Sequence, residues 1–426
     1  MAGLMEKFLV SGGVPLRGEV RCAGAKNAVL KMMAAAVLTD EPCRLTNVPR
    51  ISDVLTLRET MRDIGFTVSP LRGASLQIEA GAAEWLFVPL EAAMKMRSSF
   101  ILLGPLLTRF GRVIISNPGG DRIGRRPVDL HVEAMQKLGA TIEYKNGYYF
   151  AEARAGLRGA HIAFPYVTVM GTENAMLAAC LASGNTVIDN AAREPEVDNL
   201  LAMLTAMGAR IERTAPHRLE IEGVDRLSGT EAAVIGDRLE AGTFAIAAAV
   251  TGGEITIRGV NPEHLGAFLE VLAGMGVPFR VDPAAASLWV GSAAGYRAAA
   301  VETQAYPGFP TDLQAPLAVL MTQAEGDSTI HETIYEDRLD YTAELVRMGA
   351  EIEVLDERHA RVRGRSALHG SEVQIADLRA GATLVLAALA GDQTSVISGV
   401  EHVDRGYEAF EAKLVGLGAR IQRIQA

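Results

Sequence analysis

A short glycine-centred pattern recurs six times along the chain of 426 residues, at intervals of about 70 residues. In each copy Leu, Met or Ile stands directly before the glycine, and an amphipathic segment precedes this pair. In most copies a segment of alternating apolar and polar residues follows it. The six glycines are Gly65, Gly139, Gly208, Gly276, Gly349 and Gly418. A regular internal period indicates repeated supersecondary units. We therefore predict six units in which a helix ends at a left-handed glycine cap and leads into a strand.

The two ends of the chain complement each other. The sixth unit lacks the second strand and the Leu-x-Gly turn that follow in most other units. At the start of the chain, Phe8–Val10 has the pattern of a short strand, and Leu16–Val20 resembles the segment Leu157–Ile162. We therefore predict that the first residues complete the last repeat. One domain then spans 26–235 and carries a loop at 117–129, and the other joins 1–25 to 236–426, with three repeats in each.

Each unit also contains an apolar, small-residue helix of about a dozen residues, an ordinary helix length. Four of these helices begin beside a charged residue, namely Lys26, Arg97, Asp312 or Arg379. A cation at a helix N-terminus opposes the helix dipole by roughly several tenths of a kcal/mol. Three cations at the same phase of a repeat therefore indicate a bound anion, with charges paired to local acids as the alternative. The predicted helices are Asn27–Leu38, Ser98–Leu107, Thr172–Leu181, Ala241–Val250, Leu313–Met321 and Ala380–Leu389.

The loop at 117–129 has an unusual composition of three glycines, two prolines and three arginines, among them Arg126. This composition suits a mobile lid over an anionic substrate and equally a solvated turn. The loop contains neither a Walker motif nor a dinucleotide-binding glycine pattern. Arg338 and Arg405 occupy equivalent loops in later units, so six cations recur at related positions. Asp121 and Asp312 lie beside these cations in the pattern and are the best acid–base candidates.

The overall composition excludes several functional classes. A formal net charge of -10 argues against a general nucleic-acid-binding protein. Cys22, Cys43 and Cys180 are odd in number and widely spaced, which predicts reduced, buried thiols, and the histidines are too scattered for a metal site. The first residues lack the pattern of a signal peptide, and no apolar run approaches the ~20 residues of a membrane span. We therefore expect a cytoplasmic protein without a membrane partner.

Six motifs along the chain carry a family resemblance, namely Gly24–Ala28, Pro118–His131, Ala192–Glu196, Gly308–Gln314, Ala376–Ala380 and Arg405–Glu408. They resemble motifs of the UDP-N-acetylglucosamine 1-carboxyvinyltransferases, a family of enolpyruvyl transferases that begins peptidoglycan synthesis. The resemblance runs from Lys7 to the end of the chain. It implies an α/β fold of two inside-out α/β barrel domains, each of three repeated units, with the active site in the cleft between them. It also implies phosphoenolpyruvate and UDP-N-acetylglucosamine as substrates, and no metal or organic cofactor.

The same resemblance implies roles for individual residues. Lys26, Asn27, Arg126 and Arg405 are expected to bind phosphoenolpyruvate, and Asp312 to take the proton of the sugar 3-hydroxyl. The expected catalytic set is Asp121, Asp312, Lys26 and Arg405, supported at the anion site by Arg338 and Arg379. The residues expected to contact UDP-N-acetylglucosamine are Arg97, Arg126, Pro127, Val128, Asp129, Leu130, Tyr166, Val167, Thr168, Val169, Asp312 and Ile334.

The sequence departs from the family pattern at Asp121, which stands where most members carry a reactive cysteine, and at Arg125, which adds a charge to the same loop. A carboxylate is a far poorer target for an epoxide than a thiolate, so we predict resistance to fosfomycin. The reference pKa of an aspartate is about 3.9, and neighbouring arginines lower it. We therefore expect Asp121 to be ionised while the lid is open and to act as an acid only in the closed complex.

Two other functions are open alternatives. The sister enzyme that acts on shikimate 3-phosphate carries a Lys-Ser pair and an Asn-Ala-Gly-Thr-Ala-Met-Arg segment. Lys26-Asn27 and Lys95-Met96-Arg97 stand in those places here. A non-catalytic paralogue that binds nucleotide sugar is expected to lose Lys26, Asp312 or Arg405, and all three are present.

Overall fold

The computed structural model describes residues 6–81, 86–120 and 123–425, except for the side chains of Ala92 and Lys95. The described residues form two compact units. The first unit contains those of Gly24–Gly120 and Arg126–Ile235, and the second contains those of Met1–Ala23, Asp121–Arg125 and Gly236–Ala426.

This division differs from the predicted domain boundaries in two respects. The first unit begins at Gly24 instead of residue 26, because the Ala25 N–H donates to the Ile235 carbonyl at 2.7 Å and ties the two ends of the unit together. Within the 117–129 loop, the described residues 123–125 belong to the second unit. There a Cβ added to Gly124 would lie 2.3 Å from Glu336 Oε2, so this part of the loop packs closely against Glu336.

The chain opens with two strands of the second unit and then builds the whole first unit. The elements in this part are β1 (Glu6–Ser11), β2 (Arg17–Arg21), α1 (Lys26–Ala35), β3 (Cys43–Thr46), α2 (Ser52–Ile64), β4 (Thr67–Val68), β5 (Ser75–Glu79), β6 (Phe87–Val88), α3 (Leu90–Lys95), α4 (Leu103–Phe110), β7 (Arg112–Ser116), α5 (Asp129–Lys137), β8 (Thr141–Lys145), β9 (Tyr148–Glu152), β10 (His161–Thr168), α6 (Val169–Ala179), β11 (Asn185–Ala191), α7 (Pro195–Ala206), β12 (Arg210–Ala215), β13 (Arg218–Glu222) and β14 (Glu231–Ala233).

The rest of the chain belongs to the second unit. Its elements are α8 (Arg238–Val250), β15 (Glu254–Arg258), α9 (Gly266–Met275), β16 (Phe279–Asp282), β17 (Ser287–Val290), β18 (Tyr296–Arg297), β19 (Ala300–Glu302), α10 (Thr311–Thr322), β20 (Ala324–His331), α11 (Tyr341–Arg347), β21 (Glu351–Val354), β22 (His359–Gly364), β23 (Glu372–Gln374), α12 (Leu378–Ala390), β24 (Thr394–Ser398), α13 (Phe410–Gly416) and β25 (Arg420–Gln425). Short 3-10 turns cover Ala36–Leu38, Arg97–Leu102, Pro262–Leu265 and Val400–Arg405.

Within the described residues the strands form six sheets of one design, three in each unit. In each sheet a parallel pair is extended by two antiparallel strands, as in the order β6-β7-β9-β8. The other orders are β14-β3-β5-β4, β10-β11-β13-β12, β2-β15-β17-β16, β18-β20-β22-β21 with β19 also on β20, and β23-β24-β1-β25. In the last sheet β1 lies between β24 and β25, antiparallel to both. The prediction that the first residues complete the last repeat is therefore confirmed.

The apolar helix of each repeat lies inside its unit. Nearly every residue of α8, α10 and α12 is buried, and these three helices pack on one another. In strands such as β15, buried residues alternate with more exposed ones. A helix that is apolar on all sides is stable only in an interior, which explains why these helices lack a polar face. The predicted fold class, with helices inside and sheets outside, is confirmed. Among the helices of the described chain, none has the length and apolarity that crossing a bilayer demands.

All six repeat glycines adopt the predicted left-handed conformation, with φ between +87° and +113°. After each glycine the next N–H reaches back to a carbonyl of the preceding helix, as in the bond from Ala209 to Leu204 at 2.9 Å. This pairing satisfies carbonyl groups that the helix end leaves without a partner. The helix boundaries were less accurate, since the predicted helix Ser98–Leu107 is a 3-10 turn followed by α4, and α8 begins three residues before Ala241.

Candidate active site

Lys26 is the first residue of α1, and its ammonium group is buried. The side chain is 9% exposed, and Nζ lies 2.8 Å from Oδ2 of Asp53 in the first turn of α2. This carboxylate offsets the unfavourable interaction of a cation with the helix N-terminus. Lys26 is therefore paired with a local acid, which is the alternative that the sequence left open. The contact holds the lysine at the N-terminus of α1.

A second buried ion pair joins α1 to α6. The Nζ of Lys31 lies 3.4 Å from Oε2 of Glu173 and donates to the main-chain carbonyl of Asn27 at 2.6 Å. Burial raises the pKa of Glu173 to about 7, against the lowering effect of Lys31. The pair fixes the first turn of α1, which carries Lys26 and Asn27. The repeat pattern does not reveal it, although Glu173 is conspicuous as a charged residue in an otherwise uncharged helix.

The structure brings Arg97 to the end of the 117–129 loop. Its Nη2 donates to the carbonyl of Arg126 and, at 3.1 Å, to that of Pro127. Gly120, with a φ of +107°, lies against the same side chain, since an added Cβ would be 3.1 Å from Arg97 Cβ. Both flanks of the loop thus contact Arg97. The predicted catalytic residue Asp121 lies outside the described residues.

His131, which the sequence did not single out as functional, is buried next to the expected binding segment 126–130. Burial lowers its pKa to about 3, so the imidazole is neutral. Its Nδ1 accepts from Asn174 Nδ2 at 3.0 Å, and Asn174 Oδ1 accepts from the Gly104 N–H at 2.7 Å. This network joins α5 to α4 and α6 and fixes the start of α5, where Asp129 lies.

Tyr166 and Asp129, two residues expected to contact the nucleotide sugar, belong to neighbouring elements. Helix α5 contacts β10, and partial burial together with the Asp129 carboxylate raises the pKa of Tyr166. The Tyr166 side chain is nevertheless 57% exposed. It therefore offers an aromatic surface beside the carboxylate, a combination that suits the stacking and hydrogen bonding of a base.

Asp312, the second residue of α10, is held by two arginines of the second unit. Arg338 Nη2 lies 2.7 Å from Oδ1, and Arg379 Nη2 lies 3.0 Å from Oδ2. The two arginine side chains are 4% and 5% exposed, whereas that of Asp312 is 24% exposed. The fold therefore brings Asp312, Arg338 and Arg379, which lie far apart in the sequence, into direct contact. The carboxylate is the part of this cluster that solvent reaches.

Hydrogen bonds behind this cluster fix its position. Asp377 caps α12 and accepts from two N–H groups of its first turn, at 2.8 and 3.1 Å. Gln314 Nε2 donates to the Arg338 carbonyl at 3.3 Å, and its Oε1 accepts from the Tyr341 hydroxyl at 2.7 Å. Aspartate is a preferred cap, so the sequence could have predicted the first contact. The second depends on how α10 packs against the following loop.

Ile334 lies on a loop organised by a fully buried carboxylate. Glu332 accepts from the hydroxyls of Thr303 and Thr311 at 2.9 and 2.8 Å, and from the N–H groups of Ile334 and Tyr335 at 2.8 and 3.2 Å. Four donors satisfy a charge that would be costly to bury alone. The loop thus presents the Ile334 side chain, which is 38% exposed, from a fixed support.

Arg405 ends the turn Val400–Arg405 and is half-buried. Two residues later Tyr407 is fully buried, with its hydroxyl 2.9 Å from Thr243 Oγ1. The Arg379 guanidinium lies 5.3 Å from the centre of the Tyr407 ring. The segment after Arg405 is thus packed against the arginine that holds Asp312.

One cation of the repeat pattern was missed. Arg238 opens α8 at a position related to those of Lys26 and Arg379, is 5% exposed, and lies 5.4 Å from the centre of the Tyr306 ring. The preceding residue, Asp237, caps the helix through two N–H groups. An aspartate followed by an apolar run is a helix-start signal that would have placed the start of α8 correctly.

The described residues therefore provide buried and half-buried cations, an accessible carboxylate and hydrogen-bonded supports. Such a set suits the binding of anionic substrates and the transfer of protons. In the part of the chain that the structure describes, His, Cys, Asp and Glu side chains form no group of three or more that could hold a metal ion.

The model of the EPSP synthase (3-phosphoshikimate 1-carboxyvinyltransferase) family matches residues 10–414. The crystal structure of the enolpyruvyl transferase NikO from Streptomyces tendae superposes with a TM-score of 0.90 at 26% identity, covering 99% of this chain and 100% of that one. The fold is thus that of the enolpyruvyl transferases, and the chain belongs to the EPSP synthase family.

Curated relatives at higher identity carry a more specific name. The UDP-N-acetylglucosamine 1-carboxyvinyltransferase of Solibacter usitatus (strain Ellin6076) is 45% identical over 421 residues, covering 99% of this chain and 100% of that protein. The protein of the same name from Koribacter versatilis (strain Ellin345) is 46% identical over 423 residues, covering 99% and 97%. The family resemblance expected from the motifs is therefore confirmed.

Proposed function

We propose that the chain transfers the enolpyruvyl group of phosphoenolpyruvate to the 3-hydroxyl of UDP-N-acetylglucosamine and releases phosphate, in the first committed step of peptidoglycan synthesis. The observation that carries this proposal is the identity of 45–46% over 99% of the chain with relatives named for that reaction. The cations described above supply the charge that two anionic substrates require.

Asp312 is the proposed base. Its carboxylate is the accessible part of the cluster with Arg338 and Arg379, so it can accept a hydrogen bond from the sugar hydroxyl. The two guanidinium groups orient this carboxylate and also compete with the hydroxyl for its oxygens. A substrate anion that engages these arginines would weaken both contacts and thereby make the carboxylate a stronger base.

Phosphoenolpyruvate is assigned to Lys26, Asn27, Arg126 and Arg405. The three cations complement its phosphate and carboxylate, and the Asn27 amide can donate a hydrogen bond to either group. UDP-N-acetylglucosamine is assigned to Arg97, the 126–130 segment, the 166–169 segment, Asp312 and Ile334. The contacts of Arg97 with the Arg126 and Pro127 carbonyls support a common role for these residues.

The reaction is an addition followed by an elimination. The sugar 3-hydroxyl loses its proton to Asp312 and its oxygen bonds to C2 of phosphoenolpyruvate, while C3 gains a proton from an acid, which we assign to Asp121. The tetrahedral adduct then loses phosphate from C2 and a proton from C3, which restores the double bond. Positioning and electrostatic stabilisation of the oxocarbenium-like centre supply most of the rate enhancement.

Phosphate release from phosphoenolpyruvate, measured separately with UDP-N-acetylglucosamine and with shikimate 3-phosphate, tests the proposal. We expect phosphate release from phosphoenolpyruvate when UDP-N-acetylglucosamine is the acceptor, and none when shikimate 3-phosphate is the acceptor. Release with shikimate 3-phosphate instead would identify the sister activity, and binding of the nucleotide sugar without release would identify a non-catalytic protein. As a control, Asp312→Asn should lower kcat by roughly 100-fold or more while the nucleotide sugar still binds.

A further inference from the structure

Arg423, on β25, gathers three carboxylates of the second unit. Its Nε donates to Glu411 at 2.7 Å, and its Nη1 donates to Glu6 and to Asp404, both at 2.8 Å. Its Nη2 donates to the second oxygen of Asp404 at 2.7 Å. The contact with Asp404 is therefore bidentate, the geometry in which a guanidinium–carboxylate pair is strongest and most directional.

Asp404 directly precedes Arg405, the residue assigned to phosphoenolpyruvate. On the other side of Arg405, Tyr407 is fixed by its burial and by the contact of its hydroxyl with Thr243. Arg405 thus lies between two anchored positions, one held by an ion pair and one by packing. A long arginine side chain binds an anion more tightly when its backbone is fixed beforehand, because less freedom is lost on binding.

We propose that Arg423 is a positioning residue for enolpyruvyl transfer: through its bidentate contact with Asp404 it fixes the backbone from which Arg405 reaches phosphoenolpyruvate. This role depends on the proposed function, since it presumes that Arg405 binds that substrate. Arg423 itself acts through Asp404 and is not assigned to any substrate.

The Arg423 charge also affects how Asp404 interacts with Arg405. Without Arg423, the carboxylates of Glu6, Asp404 and Glu411 would face one another with no shared cation. Attraction between opposite charges at ion-pair distance exceeds thermal energy in a partly shielded site. Arg405, next in sequence to Asp404, would then be drawn toward Asp404 and away from the substrate. Arg423 therefore both anchors the turn and keeps Asp404 from competing for Arg405.

The test compares steady-state kinetics of the full chain with those of Arg423→Leu and Asp404→Asn, varying the two substrates separately. We expect Arg423→Leu to raise the KM for phosphoenolpyruvate roughly tenfold or more, a size typical of a misplaced binding group, with the KM for UDP-N-acetylglucosamine within about twofold. Asp404→Asn should have a smaller effect. The double variant should recover part of the loss, because the competing carboxylate is gone.

Glu411→Gln and Glu6→Gln are matched controls, since each removes one negative charge beside the same guanidinium and leaves the bidentate contact with Asp404. Both should lower the midpoint of thermal unfolding and leave the KM for phosphoenolpyruvate within about twofold. Equal increases in both KM values, or the same increase in the control variants, would show that Arg423 only stabilises the fold and would overturn the proposal.

Two different results would show that the proposed function is wrong or that the positioning role of Arg423 is wrong. If the unmodified chain releases no phosphate with UDP-N-acetylglucosamine, the proposed function is wrong. If it does, and folded Arg423→Leu keeps the KM for phosphoenolpyruvate, the positioning role is wrong. Should Arg423→Leu not fold, Arg423→Lys retains the charge without the planar fork, and an unchanged KM in that variant would also overturn the role.

Discussion

At position 121 the chain carries a carboxylate where most members of the family that its motifs resemble carry a thiol. Its three cysteines, Cys22, Cys43 and Cys180, are all buried and form no disulfide. Burial raises the pKa of the Cys180 thiol to about 12, so little reactive thiolate is present. Covalent reaction of the loop with an electrophile therefore depends on the side chain at position 121.

Fosfomycin tests this point. We expect no covalent adduct on the unmodified chain and rapid labelling with loss of activity in Asp121→Cys, because a thiolate opens an epoxide far faster than a carboxylate does. Mass spectrometry of the intact protein and of its peptides measures the adduct, and the three buried cysteines act as internal controls. Rapid labelling of the unmodified chain would refute the prediction.

Glu173 makes stability depend on pH. Burial raises its pKa from 4.5 to about 7, so protonation favours the folded state. The corresponding stabilisation is complete below about pH 4.5 and is lost as the pH rises through about 7. The glutamine of Glu173→Gln cannot titrate. The free energy of unfolding of this variant, relative to that of the unmodified chain, should therefore rise by up to about 3 kcal/mol as the pH increases between those limits.

Urea unfolding of both proteins at pH 5 and pH 8 measures this difference. Glu240→Gln is a matched control, since burial raises the pKa of Glu240 only to about 6, and its effect should be smaller in the same direction. A stability difference for Glu173→Gln that does not vary with pH would contradict the assignment.

At the scale of elements, each repeat helix ends in the same way. The glycine cap is needed for its backbone conformation and not for space, as Gly208 shows: its φ is +101°, and an added Cβ would meet no atom within 4 Å. Gly349 adds a steric requirement, because a Cβ there would lie 2.7 Å from the Ala367 carbonyl oxygen.

These caps predict a graded series of alanine substitutions. Gly208→Ala should destabilise the chain by about 1–2 kcal/mol, the cost of a left-handed non-glycine residue, and Gly349→Ala by more. Gly274→Ala, within α9 at an open position, should instead be neutral or stabilising by up to about 1 kcal/mol. Midpoints of urea unfolding give the order, and a loss at Gly274 as large as at Gly208 would contradict it.

At the scale of the whole molecule, β1 is a central strand of the sheet that ends the chain. Phe8 and Val10 on this strand are fully buried, and Glu6 pairs with Gln425 in register. Removing β1 would leave β24 and β25 without their shared partner and open the core of the second unit.

Deletion of residues 1–11 should therefore prevent folding of the second unit. A circular permutant that links Gln425 to Glu6 by a short turn, with new ends in the segment 12–15, should fold and keep its activity, because β1 and β25 are antiparallel neighbours. Circular dichroism and phosphate release report the two outcomes. A folded, active deletion variant would show that β1 is dispensable.

The sequence by itself determined the features that depend on local periodicity. The recurring glycine-centred pattern indicated the six repeats, and the need for a left-handed residue placed Gly65 to Gly418 at the helix ends. The match of Phe8–Val10 to the missing strand gave the closure of the last repeat. Helix starts such as that of α8 were less accurate, because they depend on a single cap such as Asp237.

Tertiary structure alone decided which charges meet. Lys26 with Asp53, Lys31 with Glu173, Asp312 with Arg338 and Arg379, and Asp404 with Arg423 are pairs from different elements. No local pattern encodes them, because each depends on how buried helices and strands pack and on which carboxylate that packing brings within reach of a cation. The sequence therefore identified Lys26, Asp312, Arg338 and Arg379, and the fold determined their partners and added the other pairs.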